Sequence, residues 1–210
     1  MFDGRRFDAL VVDPPWAYGR DSGRPNRTAE AHYKTIGDRG GEVNRRTGAG
    51  LENIIACAPV TAWAKPDSHL YLWTTNPKLP FAFAVLAAWG FVYKTTLTWE
   101  KVGASGETHR GGMGFFFRGA TEHVLFGVRG HKPIPPHLRV PNLIRAKPAR
   151  GLRGHSAKPD EFYSILEPLY RGEDKADVFA RKLRPGWAAW GDEVPTPGED
   201  FAREDRFGGL

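Results

Sequence analysis

The 210-residue sequence is long enough for one domain, and at 40% hydrophobic content it can bury a sizeable core; its formal net charge is +6. That charge leans toward an anionic partner such as nucleic acid, and no apolar run approaches the roughly 20 residues needed to cross a bilayer. Cys57 is the only cysteine, which excludes an internal disulfide and a cysteine-based zinc cluster.

Met1 to Gly4 runs straight into a strand without the apolar core of a signal peptide, so a reducing cytoplasm is the expected compartment. Phe7 to Val12 (FDALVV) reads as a buried strand, which Asp13-Pro14-Pro15-Trp16 must stop because two prolines remove two backbone donors. Tyr18 to Gly50 is polar, rich in Gly, Arg and Asn, and without a period, so it reads as a long loop. Leu51 to Ala64 has helical spacing, with Pro59 expected to end or kink the helix. His69 to Trp73 (HLYLW) is a second buried strand, and Pro80 to Trp89 is a short apolar helix with Gly90 as its C-cap residue.

Phe91 to Glu100 and Thr121 to Val128 alternate as strands, joined by a long glycine-rich connection. Asn142 to Ala146 is a short extended piece. Lys158 to Tyr170 is a helix, with Pro159 in its first turn and Asp160 and Glu161 favouring the N-terminal dipole. Ala176 to Ala180 is a further strand, and residues 195–210 read as a flexible tail. Strands alternating with helices predict an α/β sheet whose ligands sit at the carboxyl ends of the strands, which is where Asp13 to Trp16 fall.

An acid, two prolines and an aromatic at a strand end suit methylation of an exocyclic amine. The amino group of adenine is a poor nucleophile because its lone pair is delocalised into the ring. Acceptors for its two hydrogens let the nitrogen rehybridise; Asp13 offers a carboxylate and Pro14 a carbonyl. Trp16 offers an indole face for a purine, a contact worth roughly 1–3 kcal/mol. The carboxylate also supports the positive charge that develops on nitrogen.

The sequence resembles the adenine N6-methyltransferase family that includes the catalytic subunit of the eukaryotic messenger-RNA adenosine methyltransferase and many bacterial and phage homologues. The resemblance rests on Asp13 to Trp16, Tyr33-Lys34-Thr35, HLYLWTTN from His69, GMGFFFRGATEHVLFGV from Gly112, HSAKPDEFY from His155 and DVFARKLRPGWAAWGDEV from Asp177, in that order. It implies an α/β, Rossmann-like S-adenosylmethionine-dependent methyltransferase, with a mostly parallel sheet and helices on both faces. Residues 1–194 would form a single domain, with 19–50 as a loop on the target side.

Asp13, Pro14, Pro15 and Trp16 are then the catalytic candidates. By the same resemblance Lys158 pairs with the carboxylate of the methyl donor, while Ser156, Phe179, Arg181, Asp192 and Glu193 line the donor site. Asp192 stands where the family usually has Asn; it can accept from ribose hydroxyls but cannot donate. Tyr18, Tyr33, Arg118 and Glu122 are candidates for the target side. The seven histidines do not fall in ligand spacing, so no metal is expected.

Arg129 to Arg153 holds seven Lys or Arg and no acid, which suggests phosphate contacts, and Gly19 to Arg27 is a second such stretch. The partner is therefore nucleic acid and not a membrane, bound by a monomer or a homodimer. DNA is favoured over RNA because long regulatory extensions of the eukaryotic kind are absent from the sequence. The rival readings are RNA methylation, cytosine N4 methylation and a catalytically inactive nucleic-acid-binding subunit. The intact acid-Pro-Pro-Trp corner and Lys158 weigh against the last.

Overall fold

The computed structural model describes residues 2–16, 54–55, 58–109, 116–148, 157–191 and 194. The expected loop over 19–50 and tail over 195–210 lie outside the described residues. The described elements are β1 (Phe7–Val12), α1 (Val60–Trp63), β2 (Ala64–Thr74), α2 (Leu79–Ala88), β3 (Val92–Lys101), β4 (Thr121–Arg129), β5 (Leu143–Ala146), α3 (Asp160–Leu169), β6 (Lys175–Val178) and β7 (Trp187–Trp190). They form a seven-stranded sheet in the order β5-β3-β4-β2-β1-β6-β7.

Every neighbouring pair is parallel except those that β4 makes with β2 and β3, so β4 alone runs against the other strands. The consequence is functional. The start of β4 lies at the edge where the remaining strands end. β1 is buried at all six positions, as a parallel strand covered on both faces must be.

Pleating sorts the side chains into two cores. Leu10, Val12, Leu70, Leu72 and Leu125 pack with α1 and α2 on one face. Ala9, Val11, Tyr71, Trp73, Val124 and Phe126 pack with α3 on the other. Helices therefore cover both faces of a mostly parallel sheet, as expected. Trp63, Trp73, Trp89 and Trp99 are all buried in these cores.

Several boundaries differ from the reading of the sequence. Pro59 breaks the expected helix, because Val60 to Trp63 form only one turn before β2 begins at Ala64. β2 thus starts five residues before His69, through a charged Lys65 to Ser68 segment that hides its strand character. α3 begins at Asp160, with Pro159 extended as its N-cap, so Lys158 sits before the helix and not within it. β7 was not anticipated; Trp187-Ala188-Ala189-Trp190 is too short for its periodicity to show.

β6 gives way directly to Phe179, a non-glycine residue at φ 63°, where a left-handed conformation costs about 1 kcal/mol or more. The turn is held by the Ala180 amide, which donates to the Trp190 carbonyl at 2.9 Å. Gly191 permits this approach. A Cβ there would lie 2.4 Å from the Ala180 oxygen and 2.7 Å from its nitrogen. Gly191→Ala should push the ends of β6 and β7 apart at a cost of roughly 1–3 kcal/mol. For a chain of this size that lowers Tm by about 2–4 °C per kcal/mol, measurable by calorimetry; an unchanged Tm would show that the strand ends have room to spare.

Candidate active site

Beyond the register shifts that follow Phe7 and Tyr93, odd-numbered residues of β1, β2, β3 and β6 face α3, as do even-numbered residues of β4. Extending that alternation to the carboxyl edge aligns Asp13, Trp73, Lys101, Glu122 and Asp177 on one face. β4 contributes Glu122 from its first turn of pleat only because it runs backwards; Glu122 stands opposite Trp99 in the register. Lys158, just before α3, drops onto this row.

The result is a chain of alternating charge. Lys158 Nζ lies 3.2 Å from Asp13 Oδ1 and 2.9 Å from Glu122 Oε2. Lys101 Nζ lies 2.6 Å from the other oxygen of Glu122. Each ammonium also rests on an indole, Lys158 on Trp73 and Lys101 on Trp99, both at 5.0 Å from the ring centroid. The side chains of Lys158 and Asp13 are only 11% and 18% exposed, so solvent screens this chain weakly.

Burial opposes charge on Asp13, Glu122 and Lys158, and their neighbours decide the outcome. For Asp13, burial raises the proton affinity; Lys158 and Arg181 pull it back while the charge of Glu122 pushes it up again, leaving it above an ordinary aspartate. For Glu122, burial is outweighed by the two lysines, and its pKa falls to about 2. Burial lowers the proton affinity of Lys158, but two carboxylates more than restore it and hold the side chain as a cation. Glu122 is thus the fixed anion of the pair and Asp13 the one that can exchange a proton.

The corner itself is tightly held. The Asp13 amide donates to the Val178 carbonyl at 3.2 Å, tying it to the end of β6. The Trp16 amide donates to the Pro14 carbonyl at 2.8 Å, which leaves that oxygen one further lone pair. Trp16 corrects an expectation. Its indole is 5% exposed, packs in the core shared with α1 and α2, and donates from Nε1 to the Trp73 carbonyl at 3.0 Å. It anchors the corner and does not present an open stacking face.

The other expected residues divide as follows. Pro14 is buried and Pro15 half-buried in the corner, and Arg181 is half-buried and close enough to stabilise charge on Asp13. Phe179 forms the strained turn beside the corner, its ring 5.1 Å from that of Trp190. Arg118 is exposed, four residues before Glu122. Tyr18, Tyr33, Ser156, Asp192 and Glu193 lie outside the described residues.

The basic stretch from Arg129 is partly corrected. Lys132 pairs with Glu173 at 2.7 Å, Arg145 with Glu100 at 2.8 Å, and Arg129 donates to the Thr61 carbonyl at 2.9 Å. Its first half also lies beyond the amino-terminal edge of the sheet, where Lys132 reaches Asp8 at the start of β1. These three cations serve the fold. The target-side stretch Gly19 to Arg27 is outside the described residues.

Four residues escaped the sequence reading: Lys101, Tyr163, Asp177 and Arg184. Lys101 continues the alternation of Leu97 and Trp99, and Asp177 is a lone acid inside an apolar strand, a signal that could have been weighed. Tyr163 donates its hydroxyl to Asp177 at 2.8 Å, and the Arg184 guanidinium stacks 3.5 Å from the centroid of the Tyr163 ring. Burial lifts Asp177 to a pKa of about 7, with the Tyr163 hydroxyl and Arg184 only partly relieving it.

A sheet of this order, carrying acid-Pro-Pro-Trp at its carboxyl edge, defines the Rossmann-like S-adenosylmethionine-dependent methyltransferase class. The family model described as MT-A70 matches residues 7–193, and the chain belongs to that family. It is 32% identical over 202 residues to the N6-methyladenosine RNA methyltransferase MTA1 of Cryphonectria parasitica, covering 90% of this chain and 52% of that protein. It is 28% identical over 197 residues to the type II methyltransferase M.MunI of Mycoplasma sp, covering 91% of this chain and 79% of that protein. The human N(6)-adenosine-methyltransferase catalytic subunit METTL3 is 26% identical over 192 residues, with 28% of its length covered. The chain thus spans about half of the fungal relative and a smaller part of the human one.

Asp177 carries a test of the electrostatics. An acid whose folded pKa is raised loses stability as pH climbs from its unfolded value of 3.8 to about 7. Asp177→Asn removes that loss and can still accept from the Tyr163 hydroxyl. The variant should match the parent near pH 4 and exceed it by about 1–3 kcal/mol above pH 7, read from denaturant melts at both pH values. Equal stability of the two proteins at high pH would show that Asp177 is solvated.

Proposed function

We propose that this chain transfers a methyl group from S-adenosylmethionine to the N6 amino group of adenine in nucleic acid, with DNA the favoured polymer. The observation that carries the reading is Asp13, held on a rigid corner at the carboxyl edge and paired with a buried lysine that keeps its carboxylate oriented. Methyltransferases of this family use S-adenosylmethionine, which supplies an electrophilic methyl group on a sulfonium.

The residues present fit such a donor. Lys158 and Arg181 are the cations that would hold its carboxylate, and Asp177 is the acid that would offset its positive charge. Phe179, with Asp192 and Glu193 following β7, would border its nucleoside. The target adenine presents its amino group to Asp13 and to the remaining lone pair of the Pro14 carbonyl, which draw its two hydrogens aside and expose the nitrogen lone pair. Asp13 would then stabilise the positive charge that develops on nitrogen as the carbon–nitrogen bond forms and the donor's carbon–sulfur bond breaks, leaving a neutral thioether. Its raised proton affinity suits it to take the proton that nitrogen must shed. Glu122, fixed as an anion by two lysines, and exposed Arg118 border the target side. Adenine in a duplex must first leave the stack, at a cost of a few kcal/mol.

Support for DNA is the bacterial type II methyltransferase, of which the chain covers 79%. Support for RNA is the fungal RNA methyltransferase, which is 32% identical. Incubation with radiolabelled donor and matched DNA and RNA oligonucleotides, followed by nucleoside analysis, separates the two and reports base and position. Labelled N6-methyladenosine or its deoxy form is expected, and label in cytosine or in no nucleoside sinks the reading.

In the same assay Asp13→Ala should lower methyl transfer at least ~1,000-fold, while calorimetry shows donor binding within a few-fold of the parent. Undiminished turnover in that variant would refute the role assigned to Asp13. The pH profile gives an independent check. Activity should fall on the acid side as Asp13 takes up a proton, at a pH above that of an ordinary aspartate. Glu122→Gln removes the neighbouring negative charge, lowers the proton affinity of Asp13, and should move that limb to lower pH. A limb that stays put in the variant would assign it to another group.

A further inference from the structure

Phe116 and Phe117 are 94% and 91% exposed, consecutive, and on the connection between β3 and β4. Leaving a phenylalanine in water forgoes about 1.5–3 kcal/mol of burial, so two adjacent ones call for a partner. The base of that connection is pinned at the carboxyl edge. The Lys101 amide donates to the Ala120 carbonyl at 2.9 Å, and the His109 amide donates back to the Lys101 carbonyl at 2.7 Å. Four residues separate Phe117 from Glu122, a span of at most about 18 Å over the five steps. From Thr108 to Thr121 the sequence contains Arg110 and Arg118 and no acid.

We propose that Phe116 and Phe117 form an aromatic wedge that enters the base stack of a DNA duplex beside the target adenine and fills the gap when that base leaves for Asp13. This inference rests on the adenine-methylation reading of the site. Chemistry favours a base stack as the occupant. Rings of this size can slide between base steps and recover the stacking lost by the extruded base. Arg118, next in sequence and exposed, meets the phosphate that follows. The position also fits. A wedge must act beside the amino group being presented, and this loop springs from the strand that carries Glu122.

The test compares an adenine mapped as a methylation target in a duplex with the same adenine left unpaired opposite an abasic site. Phe116→Ala/Phe117→Ala should lower the ratio of the paired to the unpaired rate at least tenfold, and Tyr at both positions should restore it. 2-Aminopurine at the target position should brighten when the parent binds the duplex and stay quenched with the double variant, at matched occupancy by anisotropy. An unchanged ratio overturns the wedge, as does a parent that methylates only unpaired adenine. Self-association of the parent that is lost in the double variant, seen by sedimentation with the rate ratio intact, assigns the pair to a second copy and likewise overturns it. A parent that methylates no nucleic acid in any form fails at the level of the site reading, whatever the two phenylalanines do.

Discussion

The run of charge from Asp13 through Lys158 and Glu122 to Lys101 is the constraint on which the site depends. Removing a carboxylate or an ammonium from water is costly, and a single pair rarely recovers the expense. Four groups in alternation do better, because each inner member faces two opposite charges, and the flat faces of Trp73 and Trp99 add further support beneath the ammonium groups. The arrangement is unequal by design of the neighbours. Glu122 has two lysines and becomes a strong acid, whereas Asp13 shares one lysine with that anion and retains an appetite for a proton. One row of side chains thereby yields a fixed charge and an exchangeable one.

What assembles the row is the reversed strand. Were β4 parallel to β2, its first residues would stand at the amino-terminal edge and Glu122 could not meet Lys158. Because it runs backwards, residues that start β4 and residues that end β1, β2, β3 and β6 share one edge. The two-residue period of the pleat then chooses the face. The turn at Phe179, held against Trp190 through the space left by Gly191, fixes the end of β6 to which the Asp13 amide is tied.

Much of this was legible in the sequence where apolar periodicity is long or a motif is rigid. FDALVV, the helix ending at Gly90 and the acid-Pro-Pro-Trp corner announce themselves, since burial and proline geometry leave few alternatives. β7 did not, because four residues cannot establish a period and WAAW reads equally as helix. Lys101 and Asp177 were missed for a different reason. Their meaning lies in partners brought by other elements: Lys101, at its strand end, looks like a solvated terminus until the register is known, and Asp177 gains its meaning only beside Tyr163 and Arg184. Trp16 erred in the opposite direction: its chemistry permits stacking, and only the path of the chain shows that its ring is spent on packing.

The two edges of the sheet sharpen the assignment. At the amino-terminal edge Asp8 accepts from Lys65 at 2.6 Å and from the Asp174 amide at 3.1 Å, and Lys132 bridges it to Glu173. Nearby, His69 donates from Nε2 to the Lys132 carbonyl at 2.7 Å and accepts from the Tyr170 hydroxyl, which in turn meets Tyr71 at 2.9 Å. That edge is as rich in charge as the other, yet Asp8 and Asp174 are pulled below their ordinary pKa by their cations, and burial keeps His69 neutral. Such a network is satisfied and has nothing left to exchange. At the carboxyl edge two acids, Asp13 and Asp177, are held above their ordinary values within one electrostatic neighbourhood. Protein folds tolerate that expense where charge must change during a reaction. The contrast between an edge that resolves its charges and one that leaves two acids unresolved supports the carboxyl side as the place of the proposed chemistry.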